Sequence, residues 1–270
     1  MGGAPGAATG GGDERSTMQI RVLGGYGGES QQCRMTCLLI DDRVALDAGC
    51  LSQTLPVEAQ RRIGSILLTH SHIDHTNSLP FFIDNVYGEG DCRVNIFSSP
   101  ATIYAVRRHL FNNTFWPDFA RLPNHLLPAL RFHELLDEVA VEIEGIRFTP
   151  ISTNHLVPTH GFLIEKGASA VLWSSDTGPT RRLWEIANSI PNLAAIFLET
   201  SFDNSLQNVA DRALHLTPRT MFVELKKLDR RVPVILHHLK PPCIDKIHSE
   251  VGEMAHPDVS FIEQGKVYEF

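Results

Sequence analysis

The chain has 270 residues, 43% hydrophobic and 20% charged, enough for a sizeable buried core of ordinary globular composition. No long unbroken apolar run occurs, so no membrane-spanning helix is expected. The formal charge of −7 argues against tight binding to long nucleic acid, whose phosphates need Lys and Arg, but leaves room for a small anion held at a metal.

Residues 1–16 are Gly- and Ala-rich and lack both the basic start and the apolar stretch of a secretory leader. They also lack the Ser or Thr at position 6 of a myristoylation signal, and a disordered tail is expected there. One domain is expected over residues 17–270. Cys33, Cys37, Cys50, Cys92 and Cys243 are scattered and odd in number. That pattern points to a reducing, cytoplasmic setting rather than a disulfide framework.

Alternating apolar residues predict a strand over 18–23. Strands over 35–40 and 43–46 flank Asp41-Asp42 as a hairpin. Residues 65–69 form a short apolar strand that runs into His70, and 79–86 read as a helix. A strand over 93–97 precedes a helix over 101–111, opened by Ser98-Ser99-Pro100. Two further hairpins follow, 139–143 with 146–149 around Glu144-Gly145, and 162–165 with 169–173 around Lys166-Gly167. Strands over 193–198 and 233–237, with helices over 206–213 and 218–228, complete the order. Facing sheets with helices outside, a four-layer αββα sandwich of mixed α/β class, fit this sequence of elements.

The chemistry concentrates in Thr69-His70-Ser71-His72-Ile73-Asp74-His75. His70 and His72, two apart in extended chain, point the same way, and Asp74 and His75 fall where a helix begins. Four imidazole and carboxylate donors within seven residues suit Zn²⁺, and also Mn²⁺ or Fe²⁺. The cluster cannot complete two sites, so more donors must come from other strand ends. His155 follows the 146–151 run, Asp176 sits in Ser174-Ser175-Asp176-Thr177-Gly178, and His237 and His238 end 233–237. An Asp at 176 can bridge two cations, although Asp in such a sequence is also an ordinary turn residue. His237 and His238 compete, because alternation turns only one to the metal face. His109, His125, His133, His248 and His256 read as ordinary surface residues.

The run His70-Ser71-His72-Ile73-Asp74-His75 resembles the signature of the metallo-β-lactamase superfamily. The upstream Val44-Ala45-Leu46-Asp47-Ala48-Gly49 resembles the strand and turn whose Asp supports that site. The finer resemblance is to class II 3′,5′-cyclic-nucleotide phosphodiesterases. It rests on His109-Leu110-Phe111-Asn112-Asn113 with Trp116-Pro117-Asp118, Asn154-His155 with Gly161-Phe162, and Ser175-Asp176-Thr177-Gly178-Pro179. Glu199-Thr200-Ser201, His215-Leu216-Thr217-Pro218 and His238-Leu239-Lys240-Pro241 match as well. The likeness covers about residue 20 to the C-terminus, and ribonuclease Z-type relatives share several of these motifs. His237 stands where relatives often carry Thr, so the choice of His238 depends on the Leu-Lys-Pro that follows it.

The resemblance implies two divalent cations, usually zinc. His70, His72 and His155 would hold one, Asp74, His75 and His238 the other, with Asp176 between them. It also implies hydrolysis of cAMP or cGMP to the 5′-monophosphate, by a hydroxide shared between the cations. His215, oriented by Glu199, would protonate the leaving alkoxide, making Asp74, His215 and Glu199 the catalytic set. His160 is a candidate phosphate contact, with an ordinary loop role as its alternative. The aromatic segment 111–119 can stack a base on Trp116 and read its edge with Asn112 and Asn113; a lid or a homodimer contact is the alternative. The competing activities on the same scaffold are a ribonuclease Z-like nuclease, for which no basic Gly-rich arm is present, and a thioester or lactone hydrolase, which does not need the Glu199–His215 pair.

Overall fold

A computed structural model describes residues 17–88, 93–124 and 126–270. The expected N-terminal tail, Cys92 and His125 lie outside the described residues. In chain order the strands are β1 (Gln19–Gly24), β2 (Cys37–Ile40), β3 (Val44–Leu46), β4 (Ser65–Leu67), β5 (Val94–Ser98), β6 (Leu130–Glu134) and β7 (Val141–Ile143). They continue as β8 (Ile146–Ser152), β9 (His160–Lys166), β10 (Ser169–Trp173), β11 (Leu193–Glu199), β12 (Val234–His237), β13 (Val259–Phe261) and β14 (Val267–Glu269). They form two seven-stranded sheets, ordered β14-β1-β2-β3-β4-β5-β6 and β13-β12-β11-β10-β9-β8-β7.

Alternation along each strand builds the layers. In β4 and just beyond it, Leu67 faces the space between the sheets, while Ile66 and Leu68 face outward. In β10, Val171 and Trp173 point inward, and Ala170 and Leu172 outward. The outward faces are too apolar for water, and amphipathic helices cover them. Leu79, Phe82, Ile83 and Val86 of the helix Leu79–Val86 pack on one sheet. Leu183, Trp184 and Ala187 of the helix Arg182–Ser189, with Ile247 and Val251 of the helix Ile244–Met254, pack on the other. Three apolar cores thus separate four layers, αββα, as the sequence predicts.

The expected hairpin turns form. Asp41 and Asp42 both take positive φ (50° and 56°), as do Glu144 and Gly145 (52° and 73°), the geometry of tight two-residue turns. The helix start at Ser98-Ser99-Pro100 is also present, with the Ser99 side chain accepting from the Thr102 N–H. Strands β6, β13 and β14 and the helices Arg182–Ser189 and Ile244–Met254 are additional to the sequence reading. The last two strands have three residues each, too few to carry a period; their pairing with β12 and β1 defines them. No helix among the described residues is long and apolar enough to cross a membrane.

What matters for function is strand direction. β3 to β6 run parallel, as do β10 to β13, so the C-terminal ends of β4, β10, β11 and β12 open onto one edge of the sandwich. Loops there can bring side chains from both sheets together.

Candidate metal centre

Four of the donors stand just past strand ends, and Asp74 and His75 sit on the short helix Ile73–Thr76. His70 follows β4, His155 follows β8, Asp176 follows β10, and His238 follows β12. At two of these ends the chain takes a left-handed turn at a residue that is not glycine: Ser175 has φ 53° and His238 has φ 64°. Asp47, past β3, has φ 60°. Such a backbone costs on the order of 1 kcal/mol per residue and aims a side chain where strand alternation would not. The pair at the end of β12 shows the consequence. His237 keeps the strand's inward direction and stacks on Trp173, with ring centroids 3.8 Å apart. His238 turns out of register, and its Nε2 lies 3.3 Å from both Asp74 Oδ2 and Asp176 Oδ1.

The seven expected donors converge. Ligand atoms of His70, His72, His155 and Asp176 all lie within 4.8 Å of one another, and so do those of Asp74, His75 and His238. Asp176 faces both groups with different oxygens. Its Oδ2 is 3.6 Å from His70 Nε2 and 3.8 Å from His155 Nε2. Its Oδ1 is 3.4 Å from His75 Nε2 and 3.3 Å from His238 Nε2, and this buried oxygen has no hydrogen-bond partner. His109, His133 and His248 are exposed, His256 is half-buried, and none of them joins a donor group.

Neighbours fix which nitrogen each histidine offers. The Asp47 carboxylate accepts from His75 Nδ1 at 2.7 Å, and the Leu214 carbonyl accepts from His155 Nδ1 at 3.2 Å. Both acceptors can only accept, so Nδ1 carries a proton and Nε2 is the nitrogen turned inward. Ser201 Oγ lies 2.9 Å from His238 Nδ1, and Thr69 Oγ1 lies 3.0 Å from His70 Nδ1. Inward-facing nitrogens then crowd one another: His75 Nε2 and His238 Nε2 are 3.3 Å apart, and His155 Nε2 and His72 Nδ1 are also 3.3 Å apart. Ring nitrogens facing at that distance, beside an unpartnered carboxylate oxygen, suit a shared cation. The residues fit a two-cation site of imidazole and carboxylate donors.

The electrostatics agree. Burial pushes the pKa of His70 well below the ordinary histidine value, and it also lowers His72 and His155, so these rings stay neutral and able to donate lone pairs. Burial opposes ionisation of Asp176 and Asp74. For Asp176 the neighbouring His238 and His75 outweigh burial, and for Asp74 the same two rings do so, and both carboxyls titrate low. Burial also opposes charge on His75, but Asp47 and Asp176 outweigh it and raise its pKa well above normal, so that a cation taking Nε2 as a ligand would displace a proton from it. The field at this edge therefore favours positive charge.

Some supporting residues, among them Thr69, Ser201 and Gly49, lie in the quoted motifs without a role that the sequence assigns them. Thr69 Oγ1 hydrogen-bonds both Asp47 oxygens, at 3.0 and 2.9 Å, tying the β3 turn to the histidine cluster. Ser201 Oγ touches Glu199, His215 and His238 at once. A β-carbon at Gly27 would lie 2.6 Å from His238 Cε1, and one at Gly49 would lie 2.2 Å from the Asp74 carbonyl oxygen, so only glycine lets those segments close on the donors. The position of Thr69 between a buried strand and His70 was the available signal for its role.

Glu199 and His215 stand beside the donors. His215 Nδ1 lies 2.9 Å from Glu199 Oε1, and the ring stacks on His238 with centroids 5.4 Å apart. Burial lowers the pKa of His215, but the Glu199 carboxylate outweighs it and raises the value overall. His160 is elsewhere in the network. Its ring lies near Phe162, it joins no donor group, and its backbone N–H donates to the Thr69 carbonyl at 3.0 Å.

The 111–119 segment is braced from within. Asn112 donates to the Arg108 carbonyl and accepts from the N–H groups of Thr114 and Phe115. Asn113 Oδ1 accepts from the Asp118 N–H at 2.9 Å. Trp116 is half-buried and packs edge-on against Phe81, whereas Phe115 is 75% exposed. A cleft of about 440 Å³ separates this segment from the metal motif, lined by Ser71, Ile73, Thr76, Val106, His109 and Phe115, among others.

A family profile described as a beta-lactamase superfamily domain matches residues 41–238. No curated protein sequence matches the chain. Among solved structures, the chain is similar to the metallo-beta-lactamase fold protein YhfI from Bacillus subtilis, at 17% identity over 94% of this chain and 99% of that one, with a TM-score of 0.74. It is similar to unliganded yeast PDE1, also at 17% identity, over 93% of this chain and 99% of that one, with a TM-score of 0.78. It resembles the short form of human tRNase Z at 15% identity, over 93% of this chain and 98% of that one, with a TM-score of 0.66.

Proposed function

The chain belongs to the β-lactamase superfamily, and from that premise we propose that it is a two-metal phosphodiesterase that hydrolyses cAMP or cGMP to the 5′-monophosphate. Its hydrolase domain is residues 17–270, and its working compartment is the reducing cytoplasm. His70, His72 and His155 hold one cation, Asp74, His75 and His238 hold the other, and Asp176 serves both. Zinc suits this set best, with manganese or iron as alternatives.

The observation that carries the reading is Asp176 facing one donor group with each oxygen, beside a buried Glu199–His215 pair. Two bound cations supply Lewis acidity, neutralising phosphoryl oxygens and activating water. The protein's own residues do the rest. Asp47, Thr69, Ser201 and the Leu214 carbonyl hold the imidazoles in one orientation, so no reorganisation is needed as charge develops. Glu199 keeps a proton on His215, which it delivers to O3′ as the P–O3′ bond breaks. The product is a 5′-monophosphate with a free 3′-hydroxyl.

The cleft of about 440 Å³ accepts the nucleoside. Phe115 presents its ring there, and Asn112 and Asn113 hold the turn that presents it. Trp116 backs the segment from behind. His160 steadies the donor loop through its backbone bond to Thr69. The charge of −7 disfavours long polyanions and leaves a small phosphodiester as the natural anion for a site that would hold two cations.

The test is product analysis with zinc- or manganese-loaded enzyme on cAMP and cGMP, beside bis(p-nitrophenyl) phosphate, a thioester and pre-tRNA. Release of 5′-AMP or 5′-GMP is expected. Intact cyclic nucleotides with cleavage of the thioester or the pre-tRNA would overturn the reading.

A further inference from the structure

Lys240 places its ammonium group at the rim of a site already built to hold cations. Its Nζ lies 3.4 Å from Asp74 Oδ2, the oxygen that also faces His238 Nε2 at 3.3 Å. Its backbone is pinned on both sides: the Lys240 N–H donates to the Ser201 carbonyl at 3.0 Å, and the Cys243 N–H donates to the Lys240 carbonyl at 2.8 Å. The next residue, Pro241, opens a short 3₁₀ turn. The side chain is 26% exposed, so the ammonium stands between the buried donors and solvent.

As a support for Asp74 this arrangement is poor. A lysine paired to a donor carboxylate weakens that carboxylate as a ligand, and an ammonium beside bound cations is repelled by them. The charge becomes favourable when an anion arrives and takes contacts from both. An ammonium has three donors, and Asp74 engages one, leaving others for an oxygen at the mouth. We propose that Lys240 clamps a non-bridging phosphoryl oxygen of the substrate, making it a substrate-binding residue for phosphate-bearing ligands; this rests on the phosphodiesterase reading above.

Inorganic phosphate is the probe, titrated calorimetrically into the zinc-loaded full-length protein and its Lys240→Gln and Lys240→Arg variants, with zinc content measured on each. A hydrogen bond to a charged group corresponds to roughly a tenfold change in affinity or more. Lys240→Gln is therefore expected to weaken phosphate binding by about tenfold with zinc content unchanged, and Lys240→Arg to recover most of the loss. Unchanged phosphate affinity in Lys240→Gln, zinc lost from that variant, or no phosphate binding by the unmodified protein would each overturn the clamp. Phosphate held through Lys240 by an enzyme that leaves cyclic nucleotides intact would sink the phosphodiesterase reading and leave the clamp standing.

Discussion

At the metal edge, donors are held from distant parts of the chain, whereas in the neighbouring 111–119 segment the bonds that shape the turn close locally. Asp47 reaches His75 across 28 positions, Ser201 reaches His238 across 37, and Leu214 reaches His155 across 59. Asn112 and Asn113 reach no further than 5 positions. A long-range brace fixes geometry only when the whole sandwich is folded, and then fixes it rigidly. A local brace lets a turn keep its shape while its exposed residues change. Chemistry that needs donors set to a fraction of an ångström belongs on the first kind of structure, and choice of substrate on the second.

The sharpest way to break this comparison is to remove the residue on which both donor groups converge. Asp176→Ala is expected to lose both cations and to lower turnover at least about a thousandfold, while Asp74→Ala loses one cation with a similar loss of turnover. Metal content and circular dichroism on the purified variants decide it. Two equivalents of metal in Asp176→Ala would show that the carboxylate does not link the groups.

His215→Ala tests the same edge without touching a proposed metal ligand. Proton delivery matters in the transition state, so kcat should fall by roughly 10²–10⁴ with KM little changed. A KM effect in place of a kcat effect would move His215 from proton donor to substrate contact.

One step outward, Thr69→Val keeps shape and removes the hydroxyl that ties Asp47 to the histidines. Metal affinity is expected to drop by about 10- to 100-fold, the usual effect of losing an outer partner of a ligand. Chelator competition measures it. An unchanged affinity would mean that the His75–Asp47 bond alone is sufficient.

How much of this was legible in the sequence follows the same division. His70, His72, Asp74 and His75 are contiguous, and spacing alone brought them together. His155 and Asp176 were candidates because each follows an apolar strand, and only the family resemblance singled them out as donors. His238 was not separable from His237 by alternation, since a left-handed backbone at residue 238 overrides the strand's period. Thr69 and Ser201 act through distant partners that only the folded sheets bring near. The segment 111–119 was legible as aromatic and Asn-rich, but not in its details, because the Asn side chains cap their own turn and Trp116 packs inward on Phe81.

That last detail gives the smallest and most discriminating effect. A stacked base contributes about 1–3 kcal/mol, so losing the ring that carries it should raise KM roughly tenfold with kcat nearly constant, because stacking helps ground state and transition state alike. Phe115 is exposed and lines the cleft beside Ile73, so Phe115→Ala should show that KM effect without a change in melting temperature. Trp116 joins the apolar core beneath the segment, so Trp116→Ala removes packing as well as a ring. It should lower the melting temperature by several degrees and raise KM only because the segment loosens. Kinetics on cyclic nucleotide and thermal melts of the two variants separate the roles. A tenfold KM effect in Trp116→Ala with an unchanged melt, and none in Phe115→Ala, would exchange them and make Trp116 the stacking platform.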